Sequence, residues 1–572
     1  MKKSWEIDKI LNIEERKIVK NLATDLKCPT VIAELLFRKN MTNSEQLNNF
    51  FNPDLSMLHD PFLFNDMKKA VDRILSAINT GEKITIYGDY DVDGTTASAL
   101  LYLGLKELNA VIDYYIPNRM IDGYGLSENC LESLKETGTS LIITVDCGII
   151  STEETETIKK MGMEVIITDH HNSKINIPDA VAVINPKIIN CNYPDKDLAG
   201  VGVAYKLLLA IFQQLGILNS YNISKYLYLV ALGTISDIVS LTGENRVFAT
   251  LGLMQLIKKK NTGINELLNT AGITNKIIDE NDIIFSIAPR INAAGRMGSA
   301  MRAVELLISS DKMKCKELSE IIERENSLRQ RLDKQTYDEA IEIINKKYKN
   351  LNDAFCIVIS SDSWHPGVIG IVASKLVEKY HRPAIMITHQ EGLGSGSGRS
   401  IPSFDIFKAL ENCEDILESF GGHKYAVGLT ILPEYITALE NRLNNYFKQN
   451  TDTETLIPVI KINKKIELYE ITFLLMDWIR KFAPFGANNM IPVFYTEQVR
   501  VQGFPYNVGK NHLKMKVTKD GFELDLIGFN LGDYLPILKN NSCLDIAYSL
   551  DLATWQGQTS VQGYLKDIQL HE

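Results

Sequence analysis

KITIYGDYDVDGTTASALLYLGLKELN, residues 83–109, is the stretch on which the reading of this chain turns. Lys83–Tyr87 is a short apolar run of strand length, and after Gly94 the apolar spacing becomes helical. The same change of period recurs downstream. AVIDYYIP (110–117), LIITVDCG (141–148), EVIITDHH (164–171) and AVAVINP (180–186) each read as a buried strand. SENCLESLKETG (127–138) and STEETETIKKMG (151–162) read as helices between them. This rhythm predicts an α/β fold with a parallel sheet and helices on its faces. In such sheets ligands bind beyond the carboxyl ends of the strands. Acidic and histidine residues gather at those ends here.

Asp89, Asp91 and Asp93 alternate just after the first of these strands. Alternation in extended chain aims all three to one side. Three carboxylates so close repel unless a cation neutralises them, and hard divalent cations prefer carboxylate oxygen. The plainer alternative is an exposed acidic turn before a helix. Further strand ends bring Asp146 and the triplet Asp169-His170-His171, and ALGTISDIVSL (231–241) places Asp237 near a fourth position. Neighbouring side chains face opposite ways, so one histidine can bind metal while the other meets substrate or a carboxylate. Carboxylates with imidazole suit Mn2+ or Mg2+, and bridging carboxylates suggest two ions that activate water and clamp a phosphoryl group.

The chain has 572 residues, enough for three or four domains, with 45% hydrophobic and 23% charged residues. Neither a signal-peptide core at the N-terminus nor a stretch of membrane-spanning length is apparent, so no membrane partner is expected. The eight cysteines form no CxxC pair, which speaks against a zinc knuckle and for a reducing, cytoplasmic setting. A formal net charge of −10 argues against a protein that merely coats DNA, but not against an enzyme with a local basic groove.

The chain divides into an N-terminal helical region (1–75), a catalytic α/β domain (76–309), a helix (310–350) that either joins two domains or packs on one core, a smaller α/β domain (351–450) and a small β-barrel (451–572). The helix follows from the absence of Gly and Pro in residues 310–349. The barrel follows from alternating runs such as HLKMKVT (512–518), FELDLIGF (522–529) and SCLDIAYSL (542–550).

GDYDVDG (88–94), TVDCG (144–148), the DHH triplet and SDIVSL (236–241) resemble, in order, the four motifs of the DHH phosphoesterase family. RINAAGRMG (290–298), WHPGVIGIVASKL (364–376), GSGRS (396–400) and GGHKYAVGL (421–429) extend the resemblance, over nearly the full length, to its single-strand-specific exonucleases. The resemblance implies a DHH domain, a DHH-associated domain and an OB-type barrel. It implies metal binding by Asp91, Asp93, Asp146, His170 and Asp237, with Asp89 a direct ligand or a neighbour behind the ligands, and His171 touching substrate or orienting the site. One departure stands in FAPFGANNMIPVF (482–494), where Asn488 replaces the family's Gly; it bears on the local turn, not the chemistry.

Arg290, Asn292 and Arg296 in RINAAGRMG are candidates for gripping phosphate, with helix ion pairs as the alternative. GLGSGSGRS (392–400) reads as a glycine-rich loop whose N–H groups approach an anion, with Ser397 and Arg399 as donors. The resemblance implies that this loop and Arg119 hold a 5′ end and that His423 faces substrate, with a satisfied structural histidine as the alternative for His423. Tyr124 can stack on a base, with a loop tyrosine packed at a domain edge as the equal alternative. His365, ahead of Pro366, is a weaker phosphate candidate. The expected activity is metal-dependent exonucleolytic hydrolysis of single-stranded DNA to 5′ mononucleotides in DNA repair and recombination. The 5′-to-3′ direction and the DNA preference rest on the resemblance alone, and the expected partners are single-stranded DNA, a single-strand-binding protein and a helicase. Alternatives are a phosphodiesterase for short RNA or cyclic dinucleotides and an inactive nuclease-like scaffold.

Overall fold

The computed structural model describes residues 3–118, 125–173, 176–218, 222–258, 261–273, 277–348, 354–390, 392–539 and 542–571. Contacts divide the chain into two units: Leu55–Leu456, and Met1–Asp54 together with Ile457–Glu572.

Strand β1 (Ser4–Ile7) opens the chain and belongs to the second unit. In the first unit, β2 (Ile84–Gly88), β3 (Ile112–Tyr115), β4 (Leu141–Val145), β5 (Glu164–Thr168) and β6 (Ala182–Ile184) form a parallel sheet in the order β3-β2-β4-β5-β6. Every residue of β2 and β4 is buried, because helices cover both faces. That is why these strands read as unbroken apolar runs. The chain leaves β2 for β3 on one side and returns to lay β4 on the other. The strand order thus reverses between β2 and β4, and the crevice outside their carboxyl ends is where such sheets bind ligands.

The helix Lys312–Lys347 is 36 residues long, about 54 Å at 1.5 Å per residue. Cys315, Leu318 and Ile322 join the core of the parallel sheet, while Ala340 and Ile344 join a core with Ile357, Val372 and Met386. The helix thus contributes side chains to two hydrophobic clusters within one unit. Beyond it lie β7 (Ile357–Ser361), β8 (Ala384–Gln390), β9 (Leu393–Arg399), β10 (Ser419–His423) and β11 (Ala426–Ile431), in the order β10-β11-β9-β8-β7.

The glycine-rich segment 392–400 is not the loop expected from its composition. It forms β9, paired on both edges with β8 and β11, so its N–H groups face sheet partners and do not form an anion nest. The period of two explains it. A Cβ at Gly394, Gly396 or Gly398 would stand 2.6–2.9 Å from Ile387, Leu429 or Val427, so glycine lets that face lie flat on its core. Ser397 and Arg399 occupy the opposite face, toward Gly370 in the helix Pro366–Tyr380.

In the second unit, β12 (Val459–Ile462) pairs in parallel with β1. β13 (Lys464–Lys465), β14 (Phe494–Val508), β15 (His512–Lys519), β16 (Phe522–Gly528), β17 (Cys543–Trp555) and β18 (Gln558–Leu570) form a sheet that closes into a barrel through β14–β17 pairing. Leu513, Met515 and Val517 point inward and alternate with His512, Lys514 and Lys516. Packing does not divide the chain at residue 75, where helical patterning placed the end of a first region. Val19, Leu22, Val31, Ile32, Leu36, Leu47 and Phe50 share one core with barrel residues such as Val499, Leu526 and Ile546, whereas the helix Met67–Thr80 joins the core of the parallel sheet. An apolar helix face shows that something covers it, not what. The region also opens with β1 where helices were expected, anchored by Trp5 Nε1 donating to Asp567 Oδ2 (2.9 Å). Asn488 takes φ +57°, the left-handed region that asparagine tolerates better than most residues, so the substitution of the family's glycine leaves a workable turn. Among the described residues, no helix is long and apolar enough to cross a membrane.

Candidate metal centre

Asp89 directly follows β2. Asp91 is the N-cap of the helix Val92–Lys106 and accepts from the Gly94 N–H (3.0 Å). Asp93 is the second residue of that helix. The alternation argument therefore fails beyond Asp91: the chain coils at Val92, and the three aspartates separate into two groups. Asp93 Oδ2 accepts from the Gly200 N–H (2.6 Å) and Oδ1 from the Val201 N–H (2.9 Å), at the N-terminus of the helix Gly200–Gln214. Those donors and the helix dipole stabilise its charge. A Cβ on Gly200 would stand 2.8 Å from Asp146 Cβ and 2.9 Å from Asp93 Oδ2, so only glycine permits this approach.

Asp146 follows β4 and holds φ +60°, a conformation that costs a non-glycine residue free energy and is found at functional sites. After β5, the buried Asp169 carboxylate organises the histidine loop. Its Oδ1 accepts from the N–H groups of His170 (2.7 Å) and His171 (3.1 Å) and pairs with His171 Nδ1 (2.7 Å), while Oδ2 accepts from the Ile149 N–H (2.9 Å). Asp237 sits at the C-cap of the helix Leu227–Ser236, not at a strand end. A carboxylate at the negative end of a helix dipole is unfavourable until a cation joins it.

These residues converge. Asp89, Asp91 and Asp146 each offer an oxygen within 4.8 Å of the others, as do donor atoms of Asp93, His170 and Asp237. Asp146 also groups with His170 and His171, so it links the two sets. His170 Nε2 lies 3.1 Å from Asp146 Oδ1, 3.6 Å from Asp237 Oδ2 and 3.8 Å from Asp93 Oδ2. Asp89, Asp93, Asp146 and His170 are buried, which excludes an exposed acidic turn. Among the described residues, neither ring nitrogen of His170 nor Asp146 Oδ1 makes a well-aligned hydrogen bond, although His170 Nε2 and Asp146 Oδ1 face each other at 3.1 Å. Buried polar atoms left so are costly, and hard cations with carboxylate and imidazole ligands satisfy them.

The proton affinities give the same picture. Burial, then the Asp91 charge, pushes Asp93 up to about 7. Burial, then the charges of Asp93, Asp91, Asp89 and Asp237, holds Asp146 well above the usual carboxylate range. Asp237 is raised by burial, Asp93 and Asp91. Burial and neighbouring His171 push His170 down to about 3, which leaves a neutral imidazole able to bind metal. Burial also opposes charge on His171, but its bond to Asp169 and the charges of Asp169, Asp237 and Asp89 win and raise it to about 9. Cations would relieve the crowding of the carboxylates.

Other candidates stand outside this cluster. Arg119 and Tyr124 lie outside the described residues. Arg290 Nε donates to Glu323 Oε2 (2.6 Å) and Nη1 to the Ser286 carbonyl (2.8 Å), the ion pair that was the alternative to a phosphate role. Arg296 Nη1 donates to the Gly367 carbonyl (3.3 Å), and Asn292 is half-buried on the same helix, Ala288–Met297. Arg399 Nη1 donates to the Gly398 carbonyl (2.7 Å) and Ser397 Oγ (3.2 Å). His423 lies at the end of β10 with solvent-accessible surface; the partial desolvation of its ring, then the charges of Arg399 and His171, lower its pKa. The charges of Arg399 and of His171 thus both reach His423. His365 caps the helix Pro366–Tyr380 through Nδ1, which accepts the Gly367 N–H (3.0 Å). Sequence reasoning missed the part played by Asp169 and by the Gly200 and Val201 amides. The first was visible as the D of the triplet, and the second only as a glycine ahead of an apolar helix.

Known families match along most of this architecture. The DHH family N-terminal domain matches residues 83–234, the DHHA1 domain 352–449 and the RecJ OB domain 462–567. The single-stranded-DNA-specific exonuclease RecJ of Bacillus subtilis is 37% identical over 574 residues, covering 100% of this chain and 71% of that protein. Its namesake in Haemophilus influenzae is 33% identical over 550 residues, covering 93% and 95%. The crystal structure of RecJ with Mn2+ from Thermus thermophilus superposes with a TM-score of 0.83 at 26% identity, covering 100% of this chain and 80% of that one. Together with the shared order of domains, these likenesses establish that the chain belongs to the RecJ family of DHH phosphoesterases.

Proposed function

We infer that this chain is a metal-dependent exonuclease specific for single-stranded DNA, working from the 5′ end and releasing 5′ mononucleotides. The observation that carries the chemistry is the pair of ligand groups linked through Asp146 at the point where the strand order reverses. Asp89, Asp91 and Asp146 would hold one divalent ion and Asp93, His170 and Asp237 a second, Mn2+ or Mg2+, with Asp146 between them. Such ions supply Lewis acidity at a phosphoryl oxygen and a nucleophilic water at neutral pH.

The protein's own groups do the rest. Asp93 is fixed by the Gly200 and Val201 amides, so this ligand needs little reorganisation. Water attacks phosphorus, the bond from phosphorus to the 3′-oxygen of the terminal nucleotide breaks, and that oxygen takes a proton. His171 keeps Nδ1 on Asp169 and has Nε2–H for a phosphate oxygen or for the leaving 3′-oxygen. Arg399 and His423, whose charges act on one another, would supply cationic and polar contacts for a terminal 5′-phosphate. The barrel supplies the platform for the rest of the strand.

A role in DNA repair and recombination in the cytoplasm, beside a single-strand-binding protein and a helicase, follows from this activity. The test is release of mononucleotides from a 5′-phosphorylated single strand in Mn2+, beside a 3′-labelled strand, a duplex and dinucleotides. Rapid release from the 5′ end of the single strand is expected. Equal or faster hydrolysis of dinucleotides alone would point to a small-substrate phosphodiesterase, and no hydrolysis of any substrate to an inactive scaffold.

A further inference from the structure

Strand β6 ends at Ile184, and the chain turns at once through Asn185, Pro186 and Lys187. This turn is built onto the histidine loop. The Asp169 N–H donates to the Ile184 carbonyl (3.0 Å). The buried Asn185 donates from Nδ2 to the His171 carbonyl (2.9 Å) and accepts the Lys187 N–H at Oδ1 (2.8 Å). Two bonds through one buried amide therefore tie the backbone of Lys187 to the backbone of His171. Lys187 stands at the carboxyl end of a parallel strand, on the rim that carries the metal ligands.

The Lys187 side chain is half-buried. Among the described residues its ammonium makes no hydrogen bond and no ion pair. Its charge nevertheless reaches His170 and Asp237, members of one ligand group. A partly desolvated cation with no carboxylate in contact is in want of an anion. Lysine presents a compact point charge to phosphate, and the Asn185 bridge ties this one to the backbone of the histidine loop, on the strand-end rim of the same sheet.

We propose that Lys187 is a phosphate-binding residue of the nuclease site, its ammonium gripping a non-bridging oxygen of the scissile diester or of the next linkage 3′ to it. The proposal rests on the exonuclease reading above. Asn185 holds the turn that presents it. The competing role is a bystander charge that only tunes the metal ligands.

The test is a cycle between enzyme and substrate. Wild type, Lys187→Met and Lys187→Arg are compared on 5′-phosphorylated single strands, all-phosphate or with one neutral methylphosphonate. The neutral linkage is placed first, where the strand serves as a competitor, or second or fourth, where release is timed. Lys187→Met should lower kcat/KM on the all-phosphate strand by about ten- to a hundredfold, as expected for loss of one charge-assisted bond. Lys187→Arg should stay within about threefold of wild type, and melting and Mn2+ affinity should be unchanged in both. With the neutral linkage at the first or second position, wild type and Lys187→Met should become nearly equal, while the fourth position keeps the full difference. A Met variant as active as wild type overturns the proposal, and so does a loss that persists undiminished with every neutral linkage. Should wild type itself release nothing from single strands, the exonuclease reading fails; equilibrium affinities for the same strands, read by fluorescence anisotropy, then decide on Lys187 separately.

Discussion

Asp146→Asn should stabilise the metal-free protein while destroying its activity. The reason is the crowding around this residue. Donor oxygens of Asp89, Asp91 and Asp146 lie within 4.8 Å of one another. Two full charges at that distance repel by 332/(20 × 4.8), about 3.5 kcal/mol at an effective dielectric of 20. Proton uptake by the raised carboxylates relieves part of this, leaving a net gain of roughly 1–3 kcal/mol when one is neutralised. Little is lost in exchange. Asp146 Oδ1 accepts no hydrogen bond, and asparagine suits φ +60° at least as well as aspartate. Without metal the variant should therefore melt about 1–4 °C above wild type, from an unfolding entropy of about 2.1 cal/mol/K per residue over the unit Leu55–Leu456. With Mn2+ at a thousand times its dissociation constant, wild type should gain about 4.1 kcal/mol and the variant far less, so their order reverses. Differential scanning fluorimetry with and without Mn2+, beside mononucleotide release, reads both effects. The reasoning is refuted if the metal-free variant melts below wild type, or if it keeps more than about a tenth of wild-type hydrolysis.

Arg399→Ala should reduce the preference for 5′-phosphate over 5′-hydroxyl strands by about tenfold or more, since a charge-assisted bond contributes roughly 1.5–3 kcal/mol; equal loss on both substrates would mark a structural role. In the second unit, burial raises the proton affinity of Glu34, but bonds from Lys464 and Arg38 outweigh it and leave the carboxyl below its ordinary 4.5. That stabilisation is complete above about pH 4.5 and disappears as the pH falls through the lowered value, so Glu34→Gln should cost about 1–3 kcal/mol at pH 7 and flatten the acid limb of the melting curve. The isolated segment Leu55–Leu456 carries every proposed metal ligand, so once its cooperative melting is verified it should bind Mn2+ normally, bind long single strands more weakly and show a shallower salt dependence. An unchanged salt slope would mean that the barrel unit adds no phosphate contacts.

What was legible in the sequence is what short-range periodicity encodes. β2, β4, β5 and β6 show as apolar runs because both faces are largely buried, whereas the edge strand β3 is only half-buried; Asp89, Asp146 and His170 stand where the buried runs stop. Composition misled at 392–400, where glycine and serine suggested a loop. The alternation that makes a strand was present, but its buried face is glycine, and glycine carries no apolar signal. The helices before residue 54 were legible as helices, yet their apolar faces could not say that their partner is a barrel formed some four hundred residues later.

The same division of labour governs the metal centre. Local sequence supplies the ligand types, and topology supplies their distances. Asp93 and Asp237 come from one end each of two different helices, and a reading tied to strand ends places neither. They meet His170 because the chain reverses its strand order between β2 and β4 and then packs the helices Gly200–Gln214 and Leu227–Ser236 against the helix that begins at Val92. Asp93 then gains its two backbone donors from a segment more than a hundred residues away, and Gly200 has to lack a side chain for Asp146 to fit beside it. Lys187 belongs to the same class. In the sequence it is one lysine after an Asn-Pro pair. Only the Asn185 bridge to the His171 carbonyl makes it part of the rim, and that bridge joins two strand ends that the sequence shows as separate turns.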